Sequence, residues 1–312
     1  MNELVSIIMP TYKRSFFIER ALKSLVNQTY KNIEIIVIDD NSEYIEERIK
    51  TREILNKYSE DSRIVRIENK TNLGGSLSRN EGIKVAKGQY ITFLDDDDEY
   101  ELNKIEKQYF FYKNKFGNNK GFIYCQIALY DKNNQRISSS KVYIDGNKNL
   151  LKAFMYGGQA NTPSLFIDKN ILLDVEGFEK LYCGQEWYLV LKILLKGYEV
   201  YHMKDELTKY YEHNEERITT NYFKKYEGEK KLYEIKKLHI PKFSKEDQKK
   251  MHYKINIMLA NYAVKISKKE VFKCLKEAKK YQRLELKDLL QLFLKISLNE
   301  RYYNKLKKII LN

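Results

Sequence analysis

Residues Gln89 to Asp98 constrain this chain more than any other stretch. Tyr90-Ile91-Thr92-Phe93 favours a β-strand, and Gly88 punctuates its start. The strand then runs directly into four consecutive aspartates, Asp95 to Asp98. In open α/β sheets, ligands bind in the crevice beyond the carboxyl ends of the strands. Four carboxylates gathered there repel one another and raise each other's pKa unless a cation neutralises them. Hard oxygen ligands at a strand end suit Mg²⁺ or Mn²⁺, which take one or two carboxylates plus substrate phosphates. An isolated acidic run reads as a solvated turn, but a buried-type strand leading into it favours the metal reading.

The stretch before it supplies the rest of a sheet. Leu4 to Met9 reads as a buried first strand stopped by Pro10, with Thr11-Tyr12-Lys13-Arg14 as a loop. Ser15 can cap a helix with Phe17, Ile18, Ala21, Leu22, Leu25 and Val26 on one face. Ile33 to Ile38 is a second strand ending in Asp39-Asp40-Asn41-Ser42, and Ile64 to Ile67 a third. A charge-rich amphipathic helix over 43–58 and a short helix over 76–86, carrying Arg79 and Asn80, fill the intervals. This alternation predicts a parallel sheet with crossover helices. Strands one, two and four deliver Thr11 and Tyr12, Asp39 and Asp40, and Asp95 to Asp98 to one edge, as a nucleotide crevice requires. No GxGxxG follows the first strand and no GxxxxGK[ST] is present, which removes the main support for dehydrogenase and P-loop readings.

Four segments in order carry a family resemblance: Val5 to Tyr12, Val37 to Ser42, Asn72-Leu73-Gly74 with Arg79-Asn80-Glu81-Gly82, and Tyr90 to Asp98. They resemble family 2 glycosyltransferases, over roughly residues 4–215. The resemblance implies an inverting, metal-dependent enzyme with the GT-A fold, a mixed, mainly parallel sheet flanked by helices. It implies that Tyr12 stacks on uracil, with Pro10 and Thr11 shaping its loop, and that Asp40 accepts from the uracil N3–H. Arg79 would lie on the base or phosphate side. Asp95 and Asp97 would form the D-x-D, one near the ribose and one on the Mn²⁺ or Mg²⁺, with Asp96 as a substitute. Asn161 and Thr162 are weaker acceptor-side candidates, which turn chemistry explains equally well.

Gly184-Gln185-Glu186-Trp187 looks like the family's Glu-Asp base motif, with a departure: Gln185 stands where Glu is usual and Glu186 where Asp is usual. An inverting transfer needs a carboxylate to take the acceptor hydroxyl proton. Glu186 supplies one and Gln185 does not, so Glu186 is the expected base. Trp187, the sole tryptophan, is an acceptor platform or a core residue. Tyr210-Tyr211-Glu212-His213 with Arg217 matches the family's closing loop, where His213 would reach the metal or diphosphate.

Charge sets the tail apart. The chain's net charge is +14, yet residues 218–312 alone carry 25 Lys/Arg against 10 Asp/Glu. The expected division is therefore a catalytic domain over 1–217 and a basic helical extension over 218–312. Helices are expected over 221–239, 245–266 and 268–283, with Ser244 and Ser267 as caps. Leu286 to Leu298 has the strongest apolar stripe: Leu286, Leu289, Leu290, Phe293 and Leu294. A basic amphipathic helix suits an anionic membrane surface; packing within the chain or a homo-oligomer is the alternative fate of the stripe. The tail has no nucleic-acid motif, and no nucleic-acid partner is expected. Three scattered cysteines, no signal peptide and no apolar run of 18 residues point to a cytoplasmic protein; if the tail lies on lipid, it is peripheral on the inner membrane face. The expected partners are a UDP-sugar donor and a glycan or lipid-linked oligosaccharide acceptor, in capsular or surface polysaccharide synthesis. The Gln185-Glu186 departure motivates the alternative, a catalytically idle sugar-nucleotide-binding scaffold.

Overall fold

The computed structural model describes residues 2–140, 147–156, 161–181, 184–212 and 221–297. Nine strands form one sheet: β1 Val5–Thr11, β2 Ile33–Asp39, β3 Ile64–Glu68, β4 Tyr90–Phe93, β5 Glu99–Tyr100, β6 Gly121–Tyr130, β7 Arg136–Ser139, β8 Leu165–Asp168 and β9 Glu199–Tyr211. Eleven α-helices lie among the described residues: α1 Ser15–Val26, α2 Glu46–Asn56, α3 Gly75–Val85, α4 Lys104–Phe116, α5 Asn147–Met155, α6 Lys169–Asp174, α7 Gln185–Leu195, α8 Tyr222–Lys237, α9 Lys245–Ala263, α10 Lys268–Lys279 and α11 Leu286–Ser297.

The sheet order is β3-β2-β1-β4-β8-β6-β9-β5, with β7 on β6. The first four strands run parallel, so their carboxyl ends share one edge. Strands β1 and β2 are almost wholly buried, as near-continuous apolar runs in a parallel sheet should be. Beyond β4 the sheet turns mixed: β8 is antiparallel to β4 and β6, while β9 is parallel to β6. Pro10 does not stop β1, which continues to Thr11. Pairing with β4 ends at Ile8, so Pro10 sits past that ladder, where a missing N–H is tolerated. Ser15 is the first residue of α1, not its cap; its amide donates to Glu47 Oε2 at 3.1 Å.

Strand β9 is the element the sequence concealed. Its register against β6 slips between Cys125 and Ile127, where Met203 and then Glu206 take successive partners. That bulge places Lys204-Asp205-Glu206 across the period-2 pattern and hides the strand. Tyr210 and Tyr211, expected in a closing loop, are its last two residues.

The chain divides into two compact units. The first comprises residues 1–151, 159–180 and 185–215, and the second 152–158, 181–184 and 216–312. In the second, α8, α10 and α11 pack on α9. Asn221, Ser244 and Ser267 cap α8, α9 and α10 through their side chains, the last two as expected. Most of the stripe on α11 stays open: Leu292 is the helix's buried residue, while Leu286, Leu289, Leu290 and Phe293 are 82, 36, 45 and 63 % exposed and Leu294 is half-buried.

Candidate active site

The four aspartates follow β4 as a tight turn, with the Asp98 amide donating to the Asp95 carbonyl at 3.1 Å. Their partners come from three other elements and one loop. Asp95 pairs with Arg79 of α3. Asp96 and Asp97 share Arg14, whose Nη1 lies 3.3 Å from Asp96 Oδ1 and 2.8 Å from Asp97 Oδ2. Arg20 of α1 donates to the Asp97 carbonyl and pairs with Glu99 at 3.0 Å. Asp98 is fully buried and accepts from the Tyr211 amide at 3.2 Å, which ties the turn to the end of β9. The mutual repulsion expected of the run is thus met in part by arginines of this chain. Burial first, then the neighbouring Asp97 charge, push the Asp96 carboxyl up to about 7, against the opposing pull of Arg14 and the Thr11 hydroxyl.

The other strand ends complete the crevice. Pro10 and Thr11 close β1, and the Thr11 carbonyl accepts from the Asp40 amide at 2.9 Å. Lys13 has a left-handed φ of 55° and its amide is held by Asn41 Oδ1 at 2.8 Å. This bend leaves Tyr12 37 % exposed and returns Arg14 to the aspartates. The Asp40 carboxylate is buried and fixes the loop before α3. Oδ1 accepts from Asn69 Nδ2 at 2.8 Å and the Leu73 amide at 2.9 Å, and Oδ2 from the Gly74 amide at 2.8 Å. Gly74 has φ +83°, a conformation favouring glycine, so the N-L-G segment and Asp40 form one built corner. A carboxylate has about four acceptor positions, which leaves Asp40 capacity for one more donor. Beneath it, Arg48 is fully buried, pairs with Asp39 at 3.3 Å and donates to the Asn41 and Asn69 carbonyls.

Gln185, Glu186 and Trp187 form the half-buried first turn of α7, whose later apolar residues are buried. Gln185 reaches this site: a Cβ built on Gly75 would meet Arg79 Nη1 at 3.0 Å and Gln185 Oε1 at 3.8 Å. Desolvation raises the Glu186 carboxyl; Arg79 opposes the rise and Asp95 adds to it. The structure therefore brings Arg79, Asp95, Gln185 and Glu186 together. Thr162–Ser164 forms a 3₁₀ turn with Thr162 buried, and Asn161 precedes it, its carbonyl accepting from the Ser164 hydroxyl at 2.7 Å. His213 and Arg217 lie outside the described residues.

A family model, glycosyl transferase family 2, matches residues 6–181. The chain belongs to this family. A family 2 relative is the Escherichia coli UDP-Glc:alpha-D-GlcNAc-diphosphoundecaprenol beta-1,3-glucosyltransferase WfaP, 45 % identical over 109 residues. That match spans 35 % of this chain and 41 % of the relative's length. Among solved structures, S. aureus TarS 1–349 in complex with UDP-GlcNAc superimposes with a TM-score of 0.58 at 18 % identity, covering 96 % of this chain and 78 % of that 1–349 chain. The Pyrobaculum calidifontis mannosyltransferase in complex with GDP-Man and Mn²⁺ gives 0.59 at 14 % identity, covering 99 % and 84 %. At such identity these neighbours establish the fold, GT-A, with a helical extension after it.

Family 2 members commonly use a divalent cation, and the residues here fit one. Arg14 Nη1 lies within ion-pairing distance of Asp96 and Asp97 together, so the two carboxylates converge on a single cation. Among the described residues no group of three or more His, Cys, Asp or Glu forms a cage. Two carboxylates completed by substrate phosphates is the habit of Mg²⁺ and Mn²⁺. Arg14, Arg20 and Asp98 were the residues that sequence reading left without a role. The signal for Arg14 was present: four carboxylates at a strand end demand cations, and this arginine lies on the adjoining strand-end loop.

Proposed function

We propose that this family 2 protein is an inverting glycosyltransferase that moves a sugar from a UDP-sugar to a glycan hydroxyl, with Glu186 as base, in surface polysaccharide synthesis. The observation that carries it is the gathering of Tyr12, Asp40 and the aspartate turn at the carboxyl edge shared by β1, β2 and β4, with Gln185, the neighbour of Glu186, close to Gly75 and Arg79. Tyr12 is exposed enough to stack on a uracil, and Asp40 keeps an acceptor position for its N3–H. The UDP-glucose in the relative's name and the UDP-GlcNAc in the TarS complex support a uridine donor. Asp97, with Asp96 or Asp95, would hold Mn²⁺ or Mg²⁺, which when bound neutralises the charge that develops on departing UDP.

Glu186 takes the proton of the acceptor hydroxyl as that oxygen bonds to the anomeric carbon. The carbon–oxygen bond to UDP breaks on the opposite face. A carboxyl whose pKa burial has raised is a stronger base than an ordinary one, which suits this task. Single-turnover transfer to a lipid-linked glycan tests the assignment. Glu186→Gln should lower the rate by about 10²- to 10⁴-fold and leave UDP-sugar affinity intact. The wild-type rate should climb with pH as Glu186 loses its proton, above the ordinary Glu range because the shift is upward; the variant should lack that limb. Near wild-type transfer by Glu186→Gln would put the base elsewhere.

The relative's diphosphoundecaprenol acceptor suggests a membrane-held substrate, and α11 supports that placement. Its stripe residues Leu286, Leu289, Leu290 and Phe293 are solvent-exposed, with Lys287 and Lys295 on the same helix and a basic tail around it. We read it as the face that lies on anionic lipid, since apolar insertion and lysine attraction act together on such a surface. Among the described residues no helix is long and apolar enough to cross a membrane. Flotation with phosphatidylglycerol vesicles should carry the wild type, and Phe293→Glu with Leu290→Glu should remain behind. Equal flotation of both would remove α11 from the interface, and a concentration-dependent dimer lost in the variant would assign the stripe to a second copy.

A further inference from the structure

Arg14 has no part in the sugar transfer described above, yet it holds the centre of the site. Its Nη1 is 2.8 Å from Asp97 Oδ2 and 3.3 Å from Asp96 Oδ1. The Asp96 and Asp97 side chains are 5 and 6 % exposed, while that of Arg14 is 22 % exposed. The Arg79–Asp95 pair has the reverse order: the arginine is 11 % exposed and the aspartate 33 %. Arg79 is thus the inner member of its pair and Arg14 the outer member of its own.

We propose that Arg14 is an exchangeable counter-ion, neutralising Asp96 and Asp97 while the donor site is empty and passing to the diphosphate when UDP-sugar and divalent cation arrive together. The inference rests on the proposed metal and UDP reading. Three physical points carry it. A guanidinium bridging two carboxylates competes with any other cation for the same oxygens. Arginine does not lose its proton in proteins, so it leaves only for another anion. Phosphate is such an anion, and arginine binds it through two parallel N–H donors. Arg14 also lies two residues beyond Tyr12 on a loop fixed by Lys13 and Asn41, so nucleotide stacking and release of Arg14 share one loop.

The consequence is cooperative binding. Without UDP, a divalent cation binds the two carboxylates only at the cost of both Arg14 ion pairs. With UDP, the diphosphate receives it, and the coupling is reciprocal. Calorimetry of Mn²⁺ binding to chelator-treated full-length protein, with and without UDP, tests this. UDP should strengthen Mn²⁺ binding to the wild type by about 5- to 150-fold, the usual range for coupled sites. Arg14→Gln should bind Mn²⁺ alone more tightly than the wild type, bind UDP more weakly, and show a smaller enhancement by UDP. Unchanged or weaker Mn²⁺ binding by Arg14→Gln, with UDP still bound, overturns the exchange and leaves the donor reading standing. Wild-type protein that binds neither Mn²⁺ nor UDP overturns the parent reading and this one with it. If Arg14→Gln does not fold, Arg14→Lys decides: its shorter, single-headed cation should also let Mn²⁺ bind more tightly, and unchanged binding rejects the proposal.

Discussion

The two compact units bury charge in opposite ways. In the helical unit, Glu229 and Lys236 of α8 are 2 and 3 % exposed and pair at 3.1 Å, one carboxylate to one ammonium. Burial raises the Glu229 carboxyl, and Lys236 opposes the rise. In the sheet unit, Asp95, Asp96 and Asp97 face the two guanidinium groups of Arg14 and Arg79. The first arrangement is closed and balanced, and nothing in it asks for a ligand. The second gathers three carboxylates of one turn around Arg14 and Arg79 at a sheet edge, where burial and the Asp97 charge hold Asp96 up at about 7. Buried ion pairs are weak contributors to stability, because desolvation offsets the Coulomb gain. A balanced pair is therefore part of the fold, while carboxylates crowded at a strand end are where a cation is held.

This contrast can be broken at either end. The largest effect is expected at Asp97. Asp97→Ala should abolish transfer and Mn²⁺-dependent UDP binding while the melting temperature stays within a few degrees of wild type, since the change relieves repulsion as well as removing a pair. Full transfer by this variant, or by wild type in excess chelator, would reject the cation role. A smaller effect, of the other kind, is expected at Glu229. Glu229→Gln leaves Lys236 buried without its countercharge and should cost about 3–5 kcal/mol in urea unfolding. UDP affinity of the folded fraction should be unchanged. Smallest of all should be the double change Glu229→Leu with Lys236→Met, which removes both charges and should bring stability back near wild type. If the double variant remains as unstable as the single one, the pair carries more than charge.

Much of this was legible in the chain because it is local. Strand β2, read over Ile33 to Ile38, extends one residue further to Asp39. Helix α10, expected over 268–283, forms over Lys268–Lys279 behind its expected cap, Ser267. Such elements follow from residue type and spacing over a few positions. The strand β9 was not legible, since its bulge interrupts the alternation that marks a strand. Nor was the short helix α6, whose cap, Asp168, also ends β8.

The sequence by itself determined the alternation of strands and crossover helices, the edge where Tyr12, Asp40 and the aspartates gather, and the contrast between a near-neutral first part and a basic tail. Periodicity, turn chemistry and charge are written along the chain and need no partner to be read. Only the tertiary structure decided how the four aspartates divide their work. Arg14 is 82 and 83 residues away from Asp96 and Asp97, and Tyr211 is 113 residues away from Asp98. Adjacent acidic residues look alike in sequence; their roles diverge because Coulomb attraction and burial depend on distance in space, which the fold alone sets. The same reason applies to α11, whose apolar stripe is visible in sequence but whose exposure follows from Leu292 alone being buried.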